Sequence, residues 1–222
     1  MFDLLILLSR YIFIAYIAAF IFLGLAFVID ERKGDERRLS KFISIEKKII
    51  VVMHITAYAI LSYSNIKNYS AMVSTVIIGL AALVYFFVSD ILIKYSYKRS
   101  CPFIWNSVYF LMDCSLIMLQ RLNPSLAGKQ LVWMTVSTAV MLLIPILFKI
   151  IPKLEKFELF YLVASVVFIV LPFIFGDEQN GSLNWISIKG IGFQPSEIVK
   201  FLFLLYVACI FRKPLDFKRL CI

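Results

Sequence analysis

Charge is scarce in this chain: 17% of its 222 residues are Asp, Glu, Lys or Arg, against 62% that are hydrophobic. A soluble domain of this length needs a polar coat, so the deficit excludes an ordinary water-soluble fold and points to a lipid-embedded one. Histidine is nearly absent. His54 stands alone inside an apolar run, where it reads first as a packing donor between helices and second as an intramembrane ionisable group. The four cysteines, Cys101, Cys114, Cys209 and Cys221, show no metal-ligand spacing and no close pairing. Two of them fall in apolar helices, where Cys behaves as a small hydrophobe. No metal site and no cofactor motif emerges, nor does a heptad, a solenoid period or a low-complexity tract.

Long apolar runs are what the chain has instead. Spans suited to crossing a bilayer lie near 4–29, 49–66, 71–93, 103–120, 131–148, 157–175 and 195–211, each about 20 residues of helix. Backbone polar groups have no water partner in hydrocarbon, so these spans are helices. The expected fold class is an all-α, polytopic transmembrane helical bundle of about seven spans. The first span lacks a basic start and a cleavage site before Asp30, so it reads as a retained helix rather than a signal peptide.

The net charge of +9 would suit nucleic acid, but its distribution does not. Basic residues gather between spans: Arg32 to Lys48, then Lys94, Lys98 and Arg99, then Lys149, Lys153 and Lys156, and last Arg212, Lys213, Lys218 and Arg219. With seven alternating helices all four clusters fall on one side. The positive-inside rule then puts the N-terminus outside, the C-terminus in the cytoplasm and the 176–194 loop outside. Nucleic acid is excluded as a partner on that pattern, and membrane lipids are implied. The segment 30–48, which also carries Asp30, Glu31, Asp35, Glu36 and Glu46, reads as a mixed-charge solvated connector.

One segment carries candidate chemistry. In Gln194-Pro195-Ser196-Glu197-Ile198-Val199-Lys200, Pro195 suits the first position of a helix, where its missing N–H leaves nothing unpaired. Glu197 then falls where a carboxylate complements the helix dipole and can bond back to a free N–H. Lys200 lies one turn further on, within reach of Glu197. These residues read either as a capped, salt-bridged helix entrance or as a functional site, because charges entering lipid are costly. Upstream, Asn180-Gly181 is turn chemistry, and Trp185 fits an interfacial anchor. The alternation from Trp185 to Phe193 fits a short hairpin turning near Lys189-Gly190 or, equally, an irregular loop on the bilayer surface. Nothing here makes a nucleophile or a phosphate-binding helix.

Asn180-Gly181, Trp185-Ile186, Gln194-Pro195-Ser196-Glu197 and Lys200 together resemble the signature of the SEDS family (shape, elongation, division and sporulation; RodA, FtsW and SpoVE). The run from Arg121 through Lys129-Gln130 to Trp133 is similar to that family's first outer loop. The likeness covers about 105–213, which divides the chain into a three-helix extension, 1–102, and a four-helix SEDS-like portion, 103–222. It implies peptidoglycan glycosyltransferase chemistry: polymerisation of lipid II, the undecaprenyl-linked precursor, beside a class B penicillin-binding transpeptidase, in elongation, division or sporulation. It also implies the bacterial cytoplasmic membrane. Gln130, Gln194, Glu197 and Lys200 fall at the depth of a lipid-anchored headgroup.

The chain departs from that pattern in three ways. Asn184 stands where the family commonly has Arg before the loop's Trp, and Asp113 sits mid-span, where an acid must pair, stay protonated or face a polar cavity. The acid proposed to catalyse in the family lies in a later outer loop, while Asp177 and Glu178 are turn residues with no matching motif. The expectation is therefore a truncated member that is not catalytic alone. A non-catalytic scaffold docking a division or elongation partner, and a transporter of the lipid-linked precursor, are the alternatives.

Overall fold

The computed structural model describes residues 2–32, 34–150, 154–179, 181–188 and 191–212. It divides into two compact units, Met1–Ile146 and Leu147–Ile222. The first is built from α1 (Phe2–Glu31), α2 (Glu36–Ser64), α3 (Tyr69–Ser96), α4 (Pro102–Leu122) and most of α5 (Pro124–Ile150). The second holds a short 3-10 turn (Leu154–Phe157), α6 (Glu158–Phe175), three strands and α7 (Pro195–Arg212). The strands are β1 (Asp177–Gln179), β2 (Ser182–Ile188) and β3 (Ile191–Phe193).

By length and composition, α1, α3, α4, α5 and α6 are able to cross a membrane. Large side chains such as Phe87, Phe173 and Trp133 stand well exposed on them, as lipid-facing residues do. The fold is an all-α membrane bundle with one small sheet. Helix α2 differs, because its first turns carry Glu36, Arg37, Arg38, Lys41, Glu46, Lys47 and Lys48.

That charged stretch corrects one expectation. Only residues 32–35 connect α1 to α2, and most of the expected connector is helix. Asp35 caps it by accepting the Arg38 N–H at 3.2 Å, and the Arg38 guanidinium returns to Asp35 at 3.1 Å. A capped start lets the helix begin early. At about 1.5 Å per residue its 29 residues reach roughly 43 Å, so the charged turns extend past a ~30 Å hydrocarbon core.

Helix α2 packs against α1, α3 and α4. The buried face of α3 is made of Thr75, Gly79, Ala82, Ser89 and Ile93, small residues that let backbones approach closely without a bulky side chain between them. Gly79 is the tightest point: a Cβ there would meet the Tyr58 ring at 2.6 Å. Helix α1 meets α4 through stacked rings, Phe20 on Phe110 at 4.0 Å and Phe27 on Phe103 at 4.3 Å between centroids. At one end, Asp90 on α3 accepts from Lys47 at 2.8 Å and from Lys94 at 2.6 Å.

Helix α5 is tied to α3 by two tyrosines. Tyr85 shares a hydrogen bond with Thr138 at 2.8 Å, and the Tyr97 hydroxyl donates to the Met141 carbonyl at 2.6 Å. The second bond answers a specific need. Pro145 lies inside α5, and having no N–H it leaves the carbonyl four residues back, that of Met141, without its helical partner. Tyr97 supplies the missing donor.

In the second unit, β1, β2 and β3 form an antiparallel meander between α6 and α7. Trp185 pairs with Asp177, while Ile186, Ser187 and Ile188 pair with Phe193, Gly192 and Ile191. Gly181 carries the positive φ of 77° needed to turn from β1 to β2. Of the two readings open for 185–193 the hairpin is the one adopted, with its turn at 189–190 outside the described residues. Ile186 is buried, and β2 packs on both α6 and α7.

Replacing Tyr97 by Phe is expected to lower stability by about 1 kcal/mol, because the part-buried Met141 carbonyl loses its donor. Thermal unfolding of the detergent-purified chain tests this. A Tyr97→Phe midpoint equal to that of the parent would rule out the compensation.

Candidate functional site at the entrance of helix α7

The motif predicted from sequence begins α7. Pro195 is its first residue and is fully buried, and the Gln194 carbonyl accepts the Glu197 N–H at 3.1 Å. This is a regular helix start in which proline costs no hydrogen bond. The Glu197 carboxylate turns forward to Lys200, Nζ to Oε1 2.7 Å, rather than back to a free N–H, among the described residues. Side-chain exposures are 56% for Glu197 and 68% for Lys200. An ion pair so exposed contributes at most about 1 kcal/mol. Stability alone is a weak reason for these two charges, and both remain open to a ligand.

The hairpin places the rest. Gln194 is half-buried and Ser196 exposed where β3 ends and α7 begins. Trp185 lies half-buried across the sheet from Gly192, where a Cβ would come 3.4 Å from its ring. Gly181 is at the β1–β2 turn, and Asn180 lies outside the described residues. Gln194, Pro195, Ser196, Glu197, Lys200, Trp185 and Gly181 thus belong to one small unit. Gln130 belongs to the first unit, half-buried on α5. Asn184 is exposed on β2, and Glu178 is exposed on β1. Among the described residues no three His, Cys, Asp or Glu side chains form a metal-binding group.

A second polar cluster runs along α4. Asn106, Asp113 and Gln120 are 0%, 0% and 3% exposed, and each bonds to a helix of the 1–102 segment. Asn106 Nδ2 donates to Glu46 Oε2 and to the Ile43 carbonyl, both at 3.0 Å. Gln120 Nε2 donates to Thr75 Oγ1 at 3.1 Å. Between them, His54 Nδ1 and Asp113 Oδ1 lie 2.5 Å apart, while His54 Nε2 donates to the Gly79 carbonyl at 3.0 Å. A carbonyl can only accept, so Nε2 carries a proton. One more proton lies between Nδ1 and Oδ1, and on either atom it leaves the pair with no net charge.

His54 is therefore the packing donor its setting suggested, and Asp113 is paired. Their partnership does not follow from any local rule, although the sequence carries a signal of it. Asn106, Asp113 and Gln120 recur every seven residues, two turns of helix, so they share one face. An apolar search for heptads passes over them because the repeated positions are polar.

The observations so far define a class: an α-helical membrane protein with a capped, charged helix entrance beside a small sheet. Comparison with known proteins narrows it. The FtsW/RodA/SpoVE family model, described as "Cell cycle protein", matches residues 101–220, over half of the chain. Peptidoglycan glycosyltransferase RodA of Mycobacterium bovis is 27% identical over 146 residues, covering 60% of this chain and 31% of the relative. RodA of Mycobacterium tuberculosis gives the same values. Probable peptidoglycan glycosyltransferase FtsW of Bacillus subtilis is 34% identical over 59 residues, covering 27% of this chain and 15% of the relative. No solved structure matches. This chain belongs to the FtsW/RodA/SpoVE family of cell cycle proteins, and it is a multi-pass protein of the cytoplasmic membrane. It spans about a third of the length of the RodA relatives.

The buried pair makes a quantitative prediction. His54→Leu or Asp113→Leu alone strands a buried polar partner and is expected to cost about 3–5 kcal/mol, whereas the double substitution recovers most of it. Unfolding midpoints of the three variants measure the coupling. Additive losses would show that the two side chains act independently.

Proposed function

We propose that this chain forms the substrate-facing N-terminal part of a SEDS-type enzyme that polymerises lipid II glycan at the outer face of the membrane. The observation that carries this is the exposed Glu197–Lys200 pair at the start of α7, inside the family-matched region. Lys200 supplies a cation for a pyrophosphate-linked headgroup, and Glu197 holds that ammonium in place before the substrate arrives. Trp185 anchors the sheet at the interface, and Gln194 adds a neutral hydrogen-bonding group beside the pair.

In this reading all seven helices cross, with the N-terminus outside. The basic clusters at 32–48, 94–99, 149–156 and 212–219 then share the cytoplasmic side, and the β1–β3 meander lies outside. Helices α1–α3 are an extension preceding the four helices of the family portion. General-base catalysis needs a carboxylate within reach of the acceptor hydroxyl, and neither Asp177 nor Glu178 carries a motif that assigns it that role. The names of the RodA and FtsW relatives support the chemistry, and the family supports a class B penicillin-binding transpeptidase as partner.

In the complete polymerase, Lys200→Ala and Glu197→Ala are each expected to slow glycan polymerisation from purified lipid II by about tenfold or more, with Lys200→Arg retaining most activity. Unchanged rates in both alanine variants would remove the pair from the mechanism. Orientation has its own test. Ser187→Cys, in a background without native cysteines, is expected to react with an impermeant maleimide added outside intact cells, and labelling only from the cytosolic face would overturn the topology.

A further inference from the structure

A groove of about 400 Å3 lies between α1, α2 and α4. Its walls are apolar, with Phe13 and Ile17 from α1, Met53 and Ala57 from α2, and Ile117 from α4. Along α2 it extends from Met53 to Ser64, roughly 16 Å at the helical rise. Helices α1 and α2 run antiparallel across their short connection, and α4 runs parallel to α2. Arg10, Ser64 and Arg121 therefore collect at one end of the groove.

Those two arginines stand out. They lie at the opposite end of α2 from its lysine- and arginine-rich start, so the clustering of basic residues does not account for them. Among the described residues neither has an acidic partner, and none that line the groove is acidic. Arg10 sits about 12 Å along α1 from Phe2 at the helical rise, and Arg10 and Arg121 are both exposed. Arginines near helix ends extend toward the headgroup layer. A phosphate there is a fitting partner, since the planar fork matches phosphate oxygens.

We propose that this groove binds an anionic phospholipid, one acyl chain lying between α1, α2 and α4 and the phosphate held by Arg10 and Arg121. The long apolar groove suits a chain, and the cationic end gives the site its charge preference. The proposal stands apart from the α7 entrance and from whichever reaction the complete enzyme performs.

Native mass spectrometry of the full chain, released from detergent micelles containing equal palmitoyl-oleoyl phosphatidylglycerol and phosphatidylcholine, tests it. The parent is expected to retain phosphatidylglycerol preferentially, and each arginine contributes about fivefold to that preference. R10Q/R121Q abolishes the preference, R10K/R121K keeps part of it, and I117W, which fills the groove, loses the bound lipid. K67Q/K129Q, which removes two cations that do not line the groove, leaves the preference intact. Retained helical circular dichroism confirms that each variant is folded. Equal phosphatidylglycerol retention by the parent and R10Q/R121Q would overturn the site, as would equal loss in K67Q/K129Q. Thermal protection by inorganic phosphate alone, matching that by phosphatidylglycerol, would also overturn it, because the acyl chain would then be irrelevant.

Discussion

In hydrocarbon a carboxyl group needs a partner, and the partner of Asp113 is His54, 59 positions earlier in the chain. The histidine is itself fixed by the Gly79 carbonyl on a third helix. Three helices thus meet at one imidazole, and the pair adds no net charge to the bilayer interior. The rest of the first unit is arranged so that this contact can form. The small face of α3 brings Gly79 close, and the Tyr58 ring packs where a side chain at Gly79 would otherwise sit. Asn106 and Gln120 repeat the arrangement above and below. A polar bond inside a membrane contributes modestly, but an unmet one is costly. The seam therefore sets which faces meet more than how tightly they hold.

This seam gives the 1–102 segment a physical tie to the family-matched region. Asn106, Asp113 and Gln120 lie within residues 101–220, while Glu46, His54 and Thr75 precede them. A helix whose buried face carries an amide, an acid and another amide is poorly suited to face lipid. Once α2 and α3 are beside it, each side chain has one bonded atom, Asn106 Nδ2, Asp113 Oδ1 and Gln120 Nε2, while Asn106 Oδ1, Asp113 Oδ2 and Gln120 Oε1 have no partner among the described residues. Tyr97 and Pro145 follow the same logic, with one residue removing a donor from α5 and a neighbouring helix restoring it. The α7 entrance differs in kind. Its ion pair is exposed and contributes little to folding.

Much of this was legible in the residues. The helices fall close to the apolar runs because a lipid-embedded backbone has few alternatives to helix. Pro195, Glu197 and Lys200 take the places that helix-start chemistry assigns them, since those rules act over four or five neighbouring residues. The start of α2 reads as a connector because its many charges suggest solvent, but the Asp35 cap starts a helix that extends beyond the hydrocarbon. His54 and Asp113 were each conspicuous, yet no local rule links residues so far apart.

The sequence by itself determined the medium, the helices and the α7 entrance, because hydropathy, capping and proline geometry are local. Tertiary structure decided which polar groups would meet inside the first unit. It joined His54 to Asp113, Tyr97 to the carbonyl freed by Pro145, and Arg10 to the same groove as Arg121. Pairing across helices depends on rotation and depth in the bundle, and those follow from the fit of whole faces rather than from any one stretch of chain.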